Sequence, residues 1–538
     1  MARDRTPPLG GAELASLRER LGAATGRQRL DLILDAPSPA ALVAALPADE
    51  LLFTIRAIGL GDAVALVQLA TPGQFRSLLD LDAWRRDRFA AERALPWLRA
   101  ARSGAARDDR LARRWGRQLR ALDRELLLLL LRETTVVHDL RDDPDVEPGT
   151  DRVLRTPGGE LLVEFTVDGL EYAAARGLVE DLIAEEPFQA ARLLSALRWE
   201  APSELEEEAL RWRAGRLADL GYPPLEEALS WYARPPRQPG EPPGAPARPP
   251  GDLLALAAPG SLLARAAARL EPADREALDL QLVAAANATL VADGVDPIDE
   301  DRLREAARAA RALVELGLDR LAGGDAERAA ELLAATPVKR VFQEGFLRTL
   351  ELAWRAERLL RSGTAGSRAT PFLDPPLGEL LVALARRRPR HLPAIDLPRG
   401  EWGALAAAGE PRPFLSAADL ASTAAALDLA EGLARLGAEL GLTPRQATGV
   451  APRLSTLYAT ALANERLGRP FAPTPIPAAE LAAAVEALAR GGDRRLERAG
   501  EAGALLGLLL EARLAELRAA PPGPHGDPAG VTALLLAP

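Results

Sequence analysis

Between Ser38 and Arg88, apolar residues recur at three- and four-residue spacing in short blocks closed off by Pro, Gly or Asp. This is the pattern of consecutive amphipathic helices. Ser38-Pro39 places a capping side chain before a proline suited to a first helical turn, and Leu42, Val43 and Leu46 form the apolar face behind it. Pro47 opens a second block, where Leu51, Leu52, Ile55 and Ile58 share a side until Gly59 and Gly61 end it. Asp62 opens a third, with Ala63, Leu66, Val67 and Ala70. Thr71-Pro72-Gly73-Gln74 fits a capping box ahead of Phe75, Leu78 and Leu79. Helices of about nine to twelve residues are too short to hold alone, so each must bury its face against its neighbours.

Residues 38–90 resemble the superhelical repeats in the cytosolic N-terminal domain of MgtE-type magnesium transporters, where L-P-x-x-x-x-L-L and acidic turns punctuate short stacked helices. The resemblance implies a stacked helical fold. It does not carry over transport, because this chain lacks that family's membrane helices, nor a magnesium ligand, because no residue here is matched to that family's acidic ligands.

The same periodicity predicts helices over Ala12–Leu21 and Arg27–Leu34 before this stretch, and one longer helix from Asp108 to about Val137 after it. On that helix Leu111, Trp115, Leu119, Leu122 and Leu126 fall on one side, and Arg107, Arg110, Arg114, Arg117 and Arg124 on the other. Leu126 to Leu131 is apolar all round, which predicts burial. Thr156-Pro-Gly-Gly159 lies between two runs that include β-branched residues and predicts a β-hairpin near 153–167. Helices resume at Leu170–Ala184, Pro187–Trp199, Ser203–Leu220 and Pro224–Ala233.

Arg234 to Gly251 holds eight prolines in eighteen residues and reads as an extended linker. A second lobe follows over 252–519, with helices at Asp252–Leu270, Pro272–Ala292, Asp299–Leu321, Asp325–Ala335, Val338–Leu360, Ala417–Leu440, Pro444–Leu467, Pro477–Arg490 and Arg494–Ala519. Ser362 to Pro413 reads as irregular, and residues 520–538 as a disordered tail. The expected fold is mostly α: two helical lobes, 1–233 and 252–519, the first a short-helix superhelical repeat carrying one small β-hairpin. The run from Asn287 to Pro297, the helix after it, and Gly323-Gly-Asp325 followed by Ala-Glu-Arg-Ala-Ala-Glu-Leu-Leu resemble an uncharacterised bacterial family of two-lobed helical proteins. That likeness implies the architecture and no activity.

Composition narrows the chemistry. Only 4% of residues are aromatic against 48% hydrophobic, which disfavours extensive sheet. The absence of cysteine excludes disulfides, thiolate metal sites and a cysteine nucleophile, and fits a reducing cytoplasm. No segment has the length of a membrane span or the pattern of a signal peptide, so a soluble, cytoplasmic protein without membrane insertion is expected. The net charge of −10 argues against a surface given over to nucleic acid.

The candidate sites weigh unevenly. Asp293, Asp296, Asp299 and Asp301 cluster between two helices, but their spacing is not that of an EF-hand, and Asp299 suits a helix cap. His138, His391 and His525 lie far apart and match no metal or triad spacing. Gly158-Gly159 and Gly323-Gly324 lack the lysine of a phosphate loop. Pro239 to Pro242 has P-x-x-P spacing and reads as spacer. No catalytic, cofactor or metal residue is assigned.

The positive signal is charge: thirteen arginines against five acids between Arg85 and Arg124. The expected partner face is Arg107, Arg110, Arg114, Arg117 and Arg124. The expected function is a non-catalytic scaffold or adaptor that binds another macromolecule, first of all a protein. The alternatives are a nucleic-acid or polyanion binder through the same face, and an enzyme with a site between the lobes. The oligomeric state is not legible in the sequence.

Overall fold

The computed structural model describes residues 20, 24, 26–85, 87–234, 260–295, 300–367, 372–402, 409–442, 452–490, 492–519 and 534–537. The expected helix at 12–21, apart from residue 20, the proline-rich 235–251 and most of the tail lie outside them.

Through Ser230, and again over Glu276–Ala307, the described residues form one compact unit. Trp231 onward, Ala257–Arg275 and the chain from Arg308 form a second. The division therefore does not follow the proline-rich stretch. The reason is burial: Leu290 and Ala306 join the first unit's core, and the Asn287 amide donates to the carbonyl of Gly221 at 2.9 Å.

The first unit opens with α1 (Gly26–Leu34), α2 (Pro39–Ala45), α3 (Ala48–Ile58), α4 (Val64–Leu69) and α5 (Pro72–Asp82), as the apolar spacing predicts. The two-residue strands β1 (Trp84–Arg85) and β2 (Arg88–Phe89) then lead to α6 (Ala91–Arg102), α7 (Asp109–Leu119) and α8 (Arg124–Thr134). Besides contacts between consecutive helices, the more extensive packing skips one. α2 lies against α4, α4 against α6 and α6 against α8, while α1 lies against α3, α3 against α5 and α5 against α7.

Helices this short are mostly ends, and each end leaves backbone carbonyls to be satisfied. Glutamine amides do this three times. Gln74 Nε2 donates to the carbonyls of Val43 and Leu46 at the end of α2, both at 2.7 Å. Two helices on, Gln118 Nε2 donates to Val67 and Ala70 at the end of α4, at 3.0 and 2.9 Å. Gln68 Nε2 closes α6 through Ala100 and Ser103, at 3.4 and 2.6 Å. Gln74 also closes the predicted capping box from the third helical position, its Oε1 accepting from the Thr71 N–H at 2.9 Å.

The single helix expected from Asp108 to Val137 is corrected to α7, a turn at Arg120–Asp123, and α8. One rod of that length could not pack with α5 and α6 in turn. α8 then gives way to β3 (Thr135–Asp139), where buried Thr135 and Val137 flank exposed Val136. β3 pairs with β5 (Leu161–Phe165), which pairs with β4 (Val153–Arg155). The predicted hairpin is thus present, and a third antiparallel strand extends it. The unit continues with α9 (Gly169–Glu185), α10 (Pro187–Ala196), α11 (Pro202–Asp219) and α12 (Leu225–Ser230). α11 packs on both α8 and α5.

In the rest of the chain, α13 (Leu262–Ala267) is a short piece of the helix expected over Asp252–Leu270, of which residues 252–259 lie outside the described residues, while α14 (Pro272–Asp293), α15 (Glu300–Ala322), α16 (Ala326–Ala335) and α17 (Val338–Ser362) follow the sequence pattern closely. The boundaries between units fall inside α14 and α15. Within the second unit α15 and α17 cross at Gly317 and Gly345, where a Cβ on either glycine would collide with a backbone carbonyl of the facing helix. The stretch expected to be irregular after Ser362 contains α18 (Leu377–Leu384), six of whose residues are buried. Then come α19 (Ala417–Glu439), α20 (Leu454–Arg466), α21 (Leu481–Leu488), α22 (Arg494–Arg498) and α23 (Gly500–Ala519). The tail is corrected in part: β7 (Leu536–Ala537) pairs in parallel with β6 (Ile476–Pro477). No helix among the described residues is long and apolar enough to cross a membrane.

Two substitutions test this architecture. Gln118→Leu removes two buried hydrogen bonds and leaves the Ala70 carbonyl without its donor and the Val67 carbonyl with only the Ala70 N–H, and should lower the first unit's stability by about 1–3 kcal/mol in chemical denaturation. Gly345→Ala forces the crossing apart, and should cost the second unit about 3 kcal/mol in the same measurement.

Candidate functional site: an arginine-lined cleft

α7, which carries Arg110, Arg114 and Arg117 of the predicted face, meets α6 and α9 around a cleft of about 410 Å³ lined among others by Arg99, Arg102, Ser103, Trp115, Asp181 and Glu185, and by none of the predicted arginines. Local sequence builds its rim. α6 ends at Ser103, and Gly104 turns the chain with a φ of 76°, a left-handed conformation that favours glycine. Asp108 then caps α7, its carboxylate accepting from the N–H groups of Arg110 at 2.7 Å and Leu111 at 3.3 Å.

The floor is an ion pair set on glycine. Asp181 accepts from Arg102 Nε at 2.6 Å and Nη2 at 3.1 Å, and from the Trp115 indole at 2.7 Å. This bond to Asp181 raises the already high pKa of the Arg102 guanidinium, against the opposing effect of burial. A Cβ on Gly177 would sit 2.6 Å from the Arg102 guanidinium carbon and would push the guanidinium from its present place against Asp181. A Cβ on Gly116 would do the same to Glu185, which pairs with Arg120.

A second aspartate in this unit is held alike: Asp82 accepts from Trp97 Nε1 at 2.6 Å, Arg93 Nη2 at 2.9 Å, and Arg56. Asp80, almost wholly buried, is paired with Arg216. Burial still drives its pKa upward, and the Arg216 hydrogen bond only partly offsets this.

The structure sorts the five predicted arginines. Arg107, Arg110 and Arg117 are exposed, and Arg114 is half-buried and engaged within the protein. Arg124 lies on α8 beyond the turn and pairs with Glu200 through both terminal nitrogens, one of them at 3.1 Å, so it leaves the face. Two further exposed arginines belong to it: Arg113 on α7 and Arg99 in the last turn of α6. Arg113 was legible, three residues after Arg110 and four before Arg117. Arg99 was not, because only the fold brings α6 beside α7. Among the described residues no carboxylate lies within ion-pair distance of Arg99, Arg107, Arg110, Arg113 or Arg117.

The other candidates have structural partners. Asp301 pairs with Arg304 at 3.2 Å, and Asp296 and Asp299 lie outside the described residues. Among the described residues no three His, Asp or Glu side chains converge as metal ligands. His138 meets Glu164 across the sheet at 2.8 Å. His391 bridges the Thr423 hydroxyl at 3.1 Å and Asp396 at 2.9 Å. This is the order of a nucleophile relay, but His391 and Thr423 are both 0% exposed, so the hydroxyl faces packed protein. His525 lies outside the described residues. Gly323 and Gly324, with φ of 64° and 83°, end α15 ahead of the Asp325 cap of α16, which is turn chemistry.

Asp181→Ala would leave the Arg102 guanidinium and the Trp115 indole without their shared acceptor, and should destabilise the first unit by about 2 kcal/mol in thermal unfolding.

A model for a family of unknown function (DUF6178) matches residues 8–516, and the chain belongs to that family. No curated protein and no solved structure matches it.

Proposed function

We propose that this family member is a non-catalytic, cytoplasmic helical-repeat scaffold whose first unit docks an acidic protein surface along α7. One observation carries the reading: Arg107, Arg110, Arg113 and Arg117, on α7 or just before it, and Arg99, which lines the neighbouring cleft, are exposed without a carboxylate partner among the described residues. Elsewhere in the unit Arg56, Arg93, Arg102, Arg120, Arg124, Arg198 and Arg216 are paired, while Arg27, Arg88, Arg155, Arg192 and Arg211, also exposed without an ion pair among the described residues, each lie on a different element and form no stripe.

Arg110, Arg113 and Arg117 stand three and four residues apart on one helix, and such like-charge neighbours cost a few tenths of a kcal/mol per pair. An acidic partner relieves that repulsion and gains ion pairs as well. The skip-one packing of short helices supports the repeat reading, since it lays successive helix ends along an extended surface. The absence of cysteine agrees with a reducing compartment.

Nucleic acid is the second reading, favoured by the same arginines and opposed by the net charge of −10. The test compares the full chain with its Arg110→Glu/Arg113→Glu/Arg117→Glu variant, each recovered from its native cells. The expected result is a nuclease-resistant protein partner that falls away as salt rises and is lost in a variant that still unfolds at the wild-type temperature. Nuclease-sensitive material would favour the second reading, and equal recovery by both chains would reject this face.

A further inference from the structure

The last described segment of the chain lies against the central helix of the second unit. In α20 every residue from Leu454 to Asn464 is buried. Thr460, halfway along, donates its hydroxyl to the Thr456 carbonyl at 2.7 Å and accepts from the Leu535 N–H at 3.0 Å. The Leu535 carbonyl accepts in turn from the Ile476 N–H at 2.8 Å, beginning a parallel pairing that sets Ile476 opposite Leu536 and Pro477 opposite Ala537. Leu534 is buried at 2% exposure and Ile476 at 0%.

The far edge of this groove is fixed by the unit itself. Asn464 Nδ2 donates to the carbonyls of Ala472 at 3.0 Å and Thr474 at 2.8 Å, which holds the chain running into β6. The groove therefore has its own scaffold, and residues 534–537 are its occupant. Their attachment is short: the Leu535 N–H on the Thr460 hydroxyl, the Ile476 N–H on the Leu535 carbonyl, a pairing two residues long that Pro477 cannot extend with an N–H of its own, and one buried leucine. Gains of that kind are close in size to the conformational entropy of ordering four residues.

We propose that the groove between α20 and Ile476 is a recognition slot for an extended apolar peptide, and that residues 534–537 fill it reversibly. Recognition is of the strand-addition kind. Backbone groups of Ile476 and the Thr460 hydroxyl read an extended main chain, while one enclosed pocket takes a leucine. When the chain's own segment leaves, the slot is open to a like segment of another molecule.

Two measurements on the full chain test this. In hydrogen exchange, the Ile476 and Leu535 amides should exchange at least about tenfold faster than amides inside α20, because they open without the helix. In the second, a labelled synthetic peptide of residues 531–538 is titrated into wild type, Leu534→Asp and Leu534→Asp/Thr460→Val. Leu534→Asp, which places a carboxylate in the apolar pocket, should bind the peptide at least about tenfold more tightly than wild type, as its own competitor is expelled. The added Thr460→Val should weaken that binding. Exchange of the segment together with α20, or loss of α20 protection in Leu534→Asp, would make the segment part of the core and overturn the proposal. So would a folded Leu534→Asp chain that leaves the peptide unbound.

Discussion

The first unit depends on how short helices finish. A helix of six or seven residues, such as α4 or α2, satisfies few of its own carbonyls, and those left at its end face protein instead of water. Burying them unmet would cancel what the apolar faces gain. The glutamine amide answers this with two N–H donors at the spacing of two carbonyls three residues apart, the relation that joins Val43 to Leu46, Val67 to Ala70, and Ala100 to Ser103. The donor comes from another helix each time, so satisfying one end also fixes the position of its neighbour. Apolar packing alone would let the helices slide; the amides set the register.

Helix starts were legible in the sequence because their signals are local. Pro39 opens α2 in its first turn, although the Ser38 side chain makes no cap hydrogen bond, and the Thr71 to Gln74 box caps α5 as expected. The turn at Arg120–Asp123 was not legible. The apolar face runs through Leu119, Leu122 and Leu126 without interruption, and only the need to pack α7 and α8 on different helices breaks it. β3 was missed for the same reason: Thr135 to Asp139 continues a helical pattern, and β5, twenty-six residues further on, supplies the hydrogen bonds that make it a strand.

The candidate site divides along the same line. A stripe of arginines on α7 follows from helical spacing. Its true membership does not, because Glu200, which claims Arg124, and Asp181, which claims Arg102 and Trp115, arrive from α9 and beyond. Gly116 and Gly177 carry no pattern that marks them as seats for charged side chains; each reads as a mild defect within a helix until the facing guanidinium or carboxylate is in place.

The crossing at Gly317 and Gly345 bears on how the second unit moves. With backbone lying on backbone at a single point, the two rods have no interlocking ridges there to ratchet along, and translation would drive each glycine's gap onto a bulkier neighbour. Rotation about the point meets no such obstacle. α15 and α17 are thus pinned like the blades of a pair of scissors: any large rearrangement within that unit would swing about this pivot, with its amplitude greatest at the far tips of the two rods.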